Sequence, residues 1–201
     1  KDSIIKTGAE QTSLYLDFLK GKNIAVVANQ TSIISRSLKS EVGSWKYTHL
    51  LDSLLSLNIK VKKVFSPEHG FRGKADAAEL VKDGFDAKTG LPILSLHGKS
   101  KKPSASQLKD IDLVVFDIQD VGVRFYTYIS TFHYVMEACA ENGVPVLILD
   151  RPNPNAHYID GPVLEMDYSS FVGKHVVPVV YGMTIGEFGQ MNNGQKWLKN
   201  N

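Results

Sequence analysis

The chain has 201 residues, 43% of them apolar and 22% charged, the balance of an ordinary globular protein able to build its own core. A formal net charge of +2 gives no argument for nucleic acid, which calls for a strongly basic face. The single cysteine, Cys139, excludes an intrachain disulfide, and no apolar run is long enough to span a membrane.

Residues 23–28 form a short β-branched run that predicts a buried strand. Residues 49–57 carry Leu50, Leu51, Leu54, Leu55 and Leu57 at close to helical spacing. A second strand is predicted over 61–65, ending at Ser66-Pro67, and a third over 91–96. A brief helix over 104–109 follows, then a fourth strand over 112–117, apolar throughout as expected of a strand covered on both faces.

Tyr128, Phe132, Val135, Met136 and Cys139 then fall on one helical stripe, and Asn142-Gly143 supplies the stop. Cys139 belongs to that stripe and reads as core. Residues 144–149 make a fifth strand. Strands alternating with helices at this spacing predict a Rossmann-like, doubly wound α/β fold: a mainly parallel sheet with helices on both faces. Residues 151–183 hold four prolines among polar and aromatic residues and read as an ordered excursion. Thr184 then opens a final helix over 184–201, with Glu187 at the capping-box position.

Polar segments follow the strands. They are Ala28-Asn29-Gln30-Thr31, the run Phe65-Ser66-Pro67-Glu68-His69-Gly70-Phe71-Arg72-Gly73, Leu96-His97-Gly98, residues 117–124, and Asp150-Arg151-Pro152-Asn153-Pro154. Loops at the carboxyl ends of parallel strands converge on one crevice, where ligands bind. All five segments are therefore expected around one site.

Several familiar signatures fail. No G-x-G-x-x-G follows the first strand, and Gly98-Lys99-Ser100 has Ile93 where a P-loop needs its first glycine. There is no G-x-S-x-G elbow and no H-E-x-x-H, and His69 lacks the spaced partners of a zinc site. No cofactor or metal is implied. The lysine clusters 60/62/63 and 99/101/102 read as solvated faces.

Glu68 is the leading catalytic candidate, flanked by Pro67, Phe65 and Phe71. Apolar surroundings raise a carboxyl pKa and suit it to general acid work. The alternative is a structural turn in which Glu68 caps a helix or pairs with Arg72. Asp120 and Arg124 either form an ion pair that shapes their loop or act as a second carboxylate and an anion clamp. Tyr126 and Tyr128 offer hydroxyls or a sugar-stacking face, and Tyr128 also fits the core. The histidines at 49, 133, 157 and 175 show no partner arrangement and read as surface or packing residues.

Residues 65–73, 116–127 and 149–154, with Thr89-Gly90-Leu91-Pro92, Asp160-Gly161-Pro162, Ser170-Phe171-Val172-Gly173 and residues 182–187, resemble the motifs of the DUF1343 family. That family includes the exo-β-N-acetylmuramidases of the NamZ type. The resemblance runs in order from residue 23 to the end, and residues 116–128 are its most specific part.

The resemblance implies a Rossmann-like N-terminal domain, a smaller C-terminal domain and a cleft between them. Residues 1–201 would be the N-terminal domain, with 151–183 at the cleft and 184–201 leading to a C-terminal domain not in this sequence. It implies an exported enzyme, periplasmic or extracellular, that removes N-acetylmuramic acid from the non-reducing ends of peptidoglycan fragments. Glu68 becomes the proposed catalytic residue, with His69 beside it. Tyr181 stands where relatives often carry histidine.

Glycosidases pair such an acid with a second carboxylate, about 5–5.5 Å away for retention and about 6.5–9.5 Å for inversion. Asp120 is the first candidate and Asp117 the second; assistance by the substrate's acetamido group is the alternative. Arg72, Arg124 and Arg151 are candidates to bind the lactyl carboxylate of muramic acid, and Asn29 and Gln30 to bind sugar hydroxyls. Two rival readings are a non-catalytic cell-wall sugar-binding domain and a nucleotide- or phosphate-binding protein, the latter by analogy of fold alone.

Overall fold

The computed structural model describes residues 5–37, 45–72, 83–98 and 100–199. Gly73 and Lys99 of the predicted motifs lie outside these residues. The strands are β1 (Ile24–Ala28), β2 (Ile33–Ser37), β3 (Trp45–His49), β4 (Val61–Ser66), β5 (Gly84–Phe85), β6 (Pro92–Ser95), β7 (Leu113–Asp117) and β8 (Val146–Ile148). The helices are α1 (Thr12–Leu19), α2 (Leu50–Ser56), α3 (Ala105–Leu108), α4 (Tyr128–Glu141) and α5 (Ile185–Gly194).

Six strands form one sheet in the order β5-β6-β4-β1-β7-β8. Every pairing is parallel except β5 with β6. In chain order the parallel strands read 3-2-1-4-5, the doubly wound arrangement, with its switch point beside β1. Among the described residues, β2 and β3 pair only with each other, in antiparallel register.

Strand periodicity divides the core into two layers. Ala25, Val27, Val114 and Phe116 face one side with Phe132, Val135 and Cys139 of α4 and Phe188 of α5. Ile24, Val26, Val64 and Val115 face the other, with Tyr15 and Leu19 of α1 and Leu50, Leu51 and Leu54 of α2. The Phe116 and Phe132 rings meet at 4.6 Å between centroids. Truncating either to alanine would cost about 3–5 kcal/mol. Cys139 is buried, and burial pushes its thiol up to about 12.

Local chemistry sets the helix ends. His49 caps α2 by accepting from Leu51 N at 3.2 Å. Ser104 with Gln107, and Thr184 with Glu187, form capping boxes on α3 and α5. Asp150 adds a second cap to α5, accepting from Thr184 Oγ1 at 2.7 Å and from Gly186 N at 2.9 Å.

The final helix is shorter than the sequence predicts. α5 stops at Gly194, and Lys196 turns left-handed at φ 54°. That turn folds Trp197 back against His175, with ring centroids 5.7 Å apart. The excursion over 151–183 is ordered. Val180 bridges to both Val123 and Asp160, and a 3-10 turn spans Met166–Tyr168.

Candidate active site

An open cleft of about 470 Å³ lies beyond the carboxyl ends of β4, β6 and β7. Glu68 and His69 reach it from the loop after β4, and His97 and Gly98 from the loop after β6. Phe125, Tyr126 and Thr127 come from the loop that leads into α4. Phe171 and Val172 come from the long excursion, and Lys101 completes the wall. Among the described residues, Glu68 is the only carboxylate on this wall.

Glu68 is partly buried, and its Oε2 accepts a 2.8 Å hydrogen bond from Thr127 Oγ1. His69 adopts φ 70°, followed by Gly70 at 79°, and Gly70 N closes the turn on Pro67 O at 3.2 Å. A non-glycine residue held left-handed carries strain of about 1–3 kcal/mol and is commonest in functional loops. Phe65 and Phe71 do not wall the carboxylate as expected. Each is buried, one in either core layer. The apolar walls are instead Phe125 and Tyr126, both about half exposed with ring centroids 5.8 Å apart, and Phe171.

Asp120 sits behind this wall and is absent from it. It is 4% exposed, accepts from Gly122 N at 2.8 Å and accepts a second hydrogen bond from the Tyr181 hydroxyl. Burial raises its carboxyl, against the lowering pull of Tyr181. Burial and the neighbouring Asp120 push the Tyr181 phenol well up. Gly122 holds φ 72° under the Asn153 amide, leaving no room for a Cβ. The Tyr128 hydroxyl is raised by burial and by the charges of Glu68 and Asp120, so it lies in the field of both carboxylates.

None of the three arginines expected to bind an anion lines the cleft. Arg72 is paired with Asp86, at 2.7 Å and 2.8 Å, and with Asp52 at 3.1 Å. Those bonds raise its guanidinium and hold Asp86 down at about 2. Arg151 makes a buried two-point contact with Asp117, at 2.6 Å and 3.1 Å, and donates to Ile33 O. Arg124 does not pair with Asp120; its Nη1 donates to the carbonyls of Pro162 and Val177. It ties the excursion to the loop after β7.

The loops after β1 and β8 also stay off this wall. Asn29 is fully buried, and its Oδ1 accepts from Thr31 N and Oγ1 at 2.8 and 2.6 Å. Thr31 Oγ1 in turn accepts from Gln119 N, and the Ser32 hydroxyl donates to Asp117 O. These bonds close the sheet's switch point. Gln30 is exposed. The cleft is therefore displaced from the switch point toward β4 and β6.

Sequence reasoning placed the Leu96-His97-Gly98 loop at the site but missed Lys101, Thr127, Phe125 and Phe171 as wall residues. It also missed a buried pair: His175 Nε2 lies 3.0 Å from His133 Nδ1. Desolvation holds these rings at about 3 and about 4 respectively.

The family model described as "Exo-beta-N-acetylmuramidase NamZ, N-terminal" matches residues 24–201. A curated relative of Bacillus subtilis strain 168, described as peptidoglycan beta-N-acetylmuramidase NamZ, is 48% identical over 181 residues. That match covers 89% of this chain and 41% of the relative. Crystal structures of two DUF1343 family proteins from Bacteroides fragilis superpose with a TM-score of 0.81 each. Their identities are 48% and 38%, over 98% and 97% of this chain and 49% and 47% of theirs. The chain thus spans less than half the length of each of these proteins. A cleft built on a doubly wound sheet, in a sequence matched along almost its whole length, identifies the chain as a member of the NamZ family, corresponding to that family's N-terminal region.

Proposed function

We propose that this chain carries the acid-catalytic part of a glycoside hydrolase that releases N-acetylmuramic acid from the non-reducing ends of peptidoglycan fragments. The observation that carries the proposal is Glu68: a carboxylate oriented by Thr127 in a cleft with aromatic walls, within a chain of this family. Aromatic faces suit the apolar faces of sugar rings, and Phe125 and Tyr126 present such faces. An extracellular or periplasmic site of action goes with a peptidoglycan substrate.

Glu68 gives its proton to the glycosidic oxygen as the bond to the anomeric carbon breaks. Positive charge develops on that carbon, as in other glycosidases. Among the described residues no second carboxylate reaches the wall, and Asp120 is buried behind it. In this reading the substrate's own acetamido oxygen is the group that bonds to the anomeric carbon. Water then opens this cyclic intermediate and returns a proton to Glu68. His69 and Tyr126 hold sugar hydroxyls, and Asp120 positions the 120–122 turn through Tyr181 and Gly122.

The test is release of sugar from the MurNAc-GlcNAc disaccharide, by this chain and by the natural protein wherever that is longer. Glu68→Gln should abolish turnover and keep the fold. A near wild-type rate for Glu68→Gln sinks the assignment. Saturable disaccharide binding with no release by any form supports a sugar-binding module instead.

A further inference from the structure

N-acetylmuramic acid differs from N-acetylglucosamine by a lactyl ether on O3 that ends in a carboxylate. A site selective for it needs a cation, and the three arginines expected to supply one are engaged elsewhere. Lys101 is on the wall with Glu68 and His97. Its Nζ lies 4.3 Å from the centre of the Phe171 ring, and among the described residues it makes no ion pair. Its neighbour Lys102 is turned away by two carboxylates, Glu137 and Glu141, each at 2.7 Å.

The support for Lys101 is fixed in place. Phe171 stacks on Tyr134 of α4, with centroids 6.1 Å apart and planes 11° from parallel. A cation over an aromatic face is held without being neutralised, so its hydrogen-bonding capacity stays available. His97 adds a second group: its Nδ1 is buried on the same wall and, among the described residues, has no hydrogen-bond partner.

We propose that Lys101, poised on Phe171 and assisted by His97, is the subsite for the lactyl carboxylate and sets the preference for muramic acid over glucosamine. This inference rests on the muramidase reading of the cleft. It assigns a specificity role to a lysine that the sequence alone presents as part of a solvated cluster. It also explains why the excursion, which supplies Phe171, is ordered against α4.

The test is calorimetric titration of N-acetylmuramic acid and its lactyl methyl ester into the natural protein and its Lys101→Met and Lys101→Arg variants. The wild type should bind the acid at least about tenfold more tightly than the ester, the scale of one charge-assisted contact. Raising the salt concentration should weaken the acid's binding. Lys101→Met should bring the acid-to-ester ratio to about 1, and Lys101→Arg should keep most of it.

Equal binding of acid and ester by the wild type overturns the proposal. So does an undiminished ratio in Lys101→Met, or a wild type that binds neither compound. Lys101→Arg is the check against misfolding, because it keeps charge and volume. Sugar release from the disaccharide is measured separately. A protein that binds the acid through Lys101 but releases no sugar fails as a hydrolase while the carboxylate subsite stands.

Discussion

Thr127 stands at the N-cap position of α4, yet its side chain makes no cap bond; its hydroxyl donates instead to Glu68 Oε2 at 2.8 Å. Threonine at this position normally contributes about 1 kcal/mol to helix stability by bonding a backbone N–H. Here that use is given up, and the hydroxyl orients the carboxylate proposed to protonate the leaving group. Thr127→Val should therefore leave the melting temperature nearly unchanged and lower kcat about tenfold or more, with KM moving less. Thr127→Ser should restore the rate. Equal losses in stability and rate would mark the bond as merely structural.

If the acetamido group bonds to the anomeric carbon, the reaction proceeds with two inversions and the first product keeps the β configuration. Proton NMR of the anomeric signal during early turnover reads this directly. First appearance of the α anomer would require a carboxylate acting on water, and Asp120 would return as a candidate base. Asp120→Asn adds a complementary check, since a positioning residue should alter stability as well as rate.

Tyr181 and Asp120 supply a stability prediction. The Tyr181 hydroxyl donates to a carboxylate that is 4% exposed. Tyr181→Phe removes the donor and leaves the acceptor buried, which costs about 1–3 kcal/mol. The ring itself would remain against Phe188, 5.4 Å away. Tyr181→His keeps a donor and should lose less. Chemical denaturation of the three proteins ranks them.

The sheet was legible because each of its five parallel strands is a compact apolar run between polar segments, and α4 because Phe132, Val135 and Cys139 keep helical spacing. α1 was not legible. Leu14 and Phe18 are 69% and 62% exposed while Tyr15 and Leu19 are buried, so no one-sided stripe marks it. Among the described residues the β2–β3 pair forms no further strand pairing, and it carries no buried-strand pattern. Glu68 and His69 stood out as chemistry-bearing residues in a Pro/Gly-marked loop. Lys101 did not, because what distinguishes it from Lys102 is a ring brought in from residue 171. The arginines misled for a related reason: long-range partners such as Asp86 for Arg72 and Asp117 for Arg151 are set by the fold.

The Asp117–Arg151 pair joins the end of β7 to the segment after β8, with side chains 0% and 5% exposed. Removing one partner of such a pair leaves a charge buried and typically costs about 3–5 kcal/mol. Arg151→Met should therefore lower the unfolding free energy by about that amount. Asp117 and Arg151 changed together, to Asn and Met, should lose less than the single change. Additive losses in the double variant would show that the two side chains act independently.

The buried His133–His175 pair predicts how stability depends on acid. Both rings are held below the ordinary 6.5 chiefly by desolvation, at about 4 and about 3. Lys174 lowers both further, and Lys102 also opposes a charge on His133, while Glu137 and Asn192 favour one there. A group whose folded value is depressed binds its proton more readily when unfolded. The pair's contribution is thus complete above about pH 6.5 and is lost as the pH falls toward 4 and then 3. Each histidine contributes a slope of at most about 1.4 kcal/mol per pH unit in that window. Asp86, held at about 2, gives up its share only below the ordinary carboxylate value of 3.8. Asp117 and Asp120 are raised and act in the opposite sense. The informative quantity is therefore the difference between variants. Melting temperatures of His175→Phe and the wild type should converge as the pH falls from 7 to 4.5, because the variant has one fewer proton to gain on unfolding. Parallel curves over that range would mean that His175 takes up its proton as readily in the folded protein as in the unfolded chain, and would remove the pair as the source of acid sensitivity.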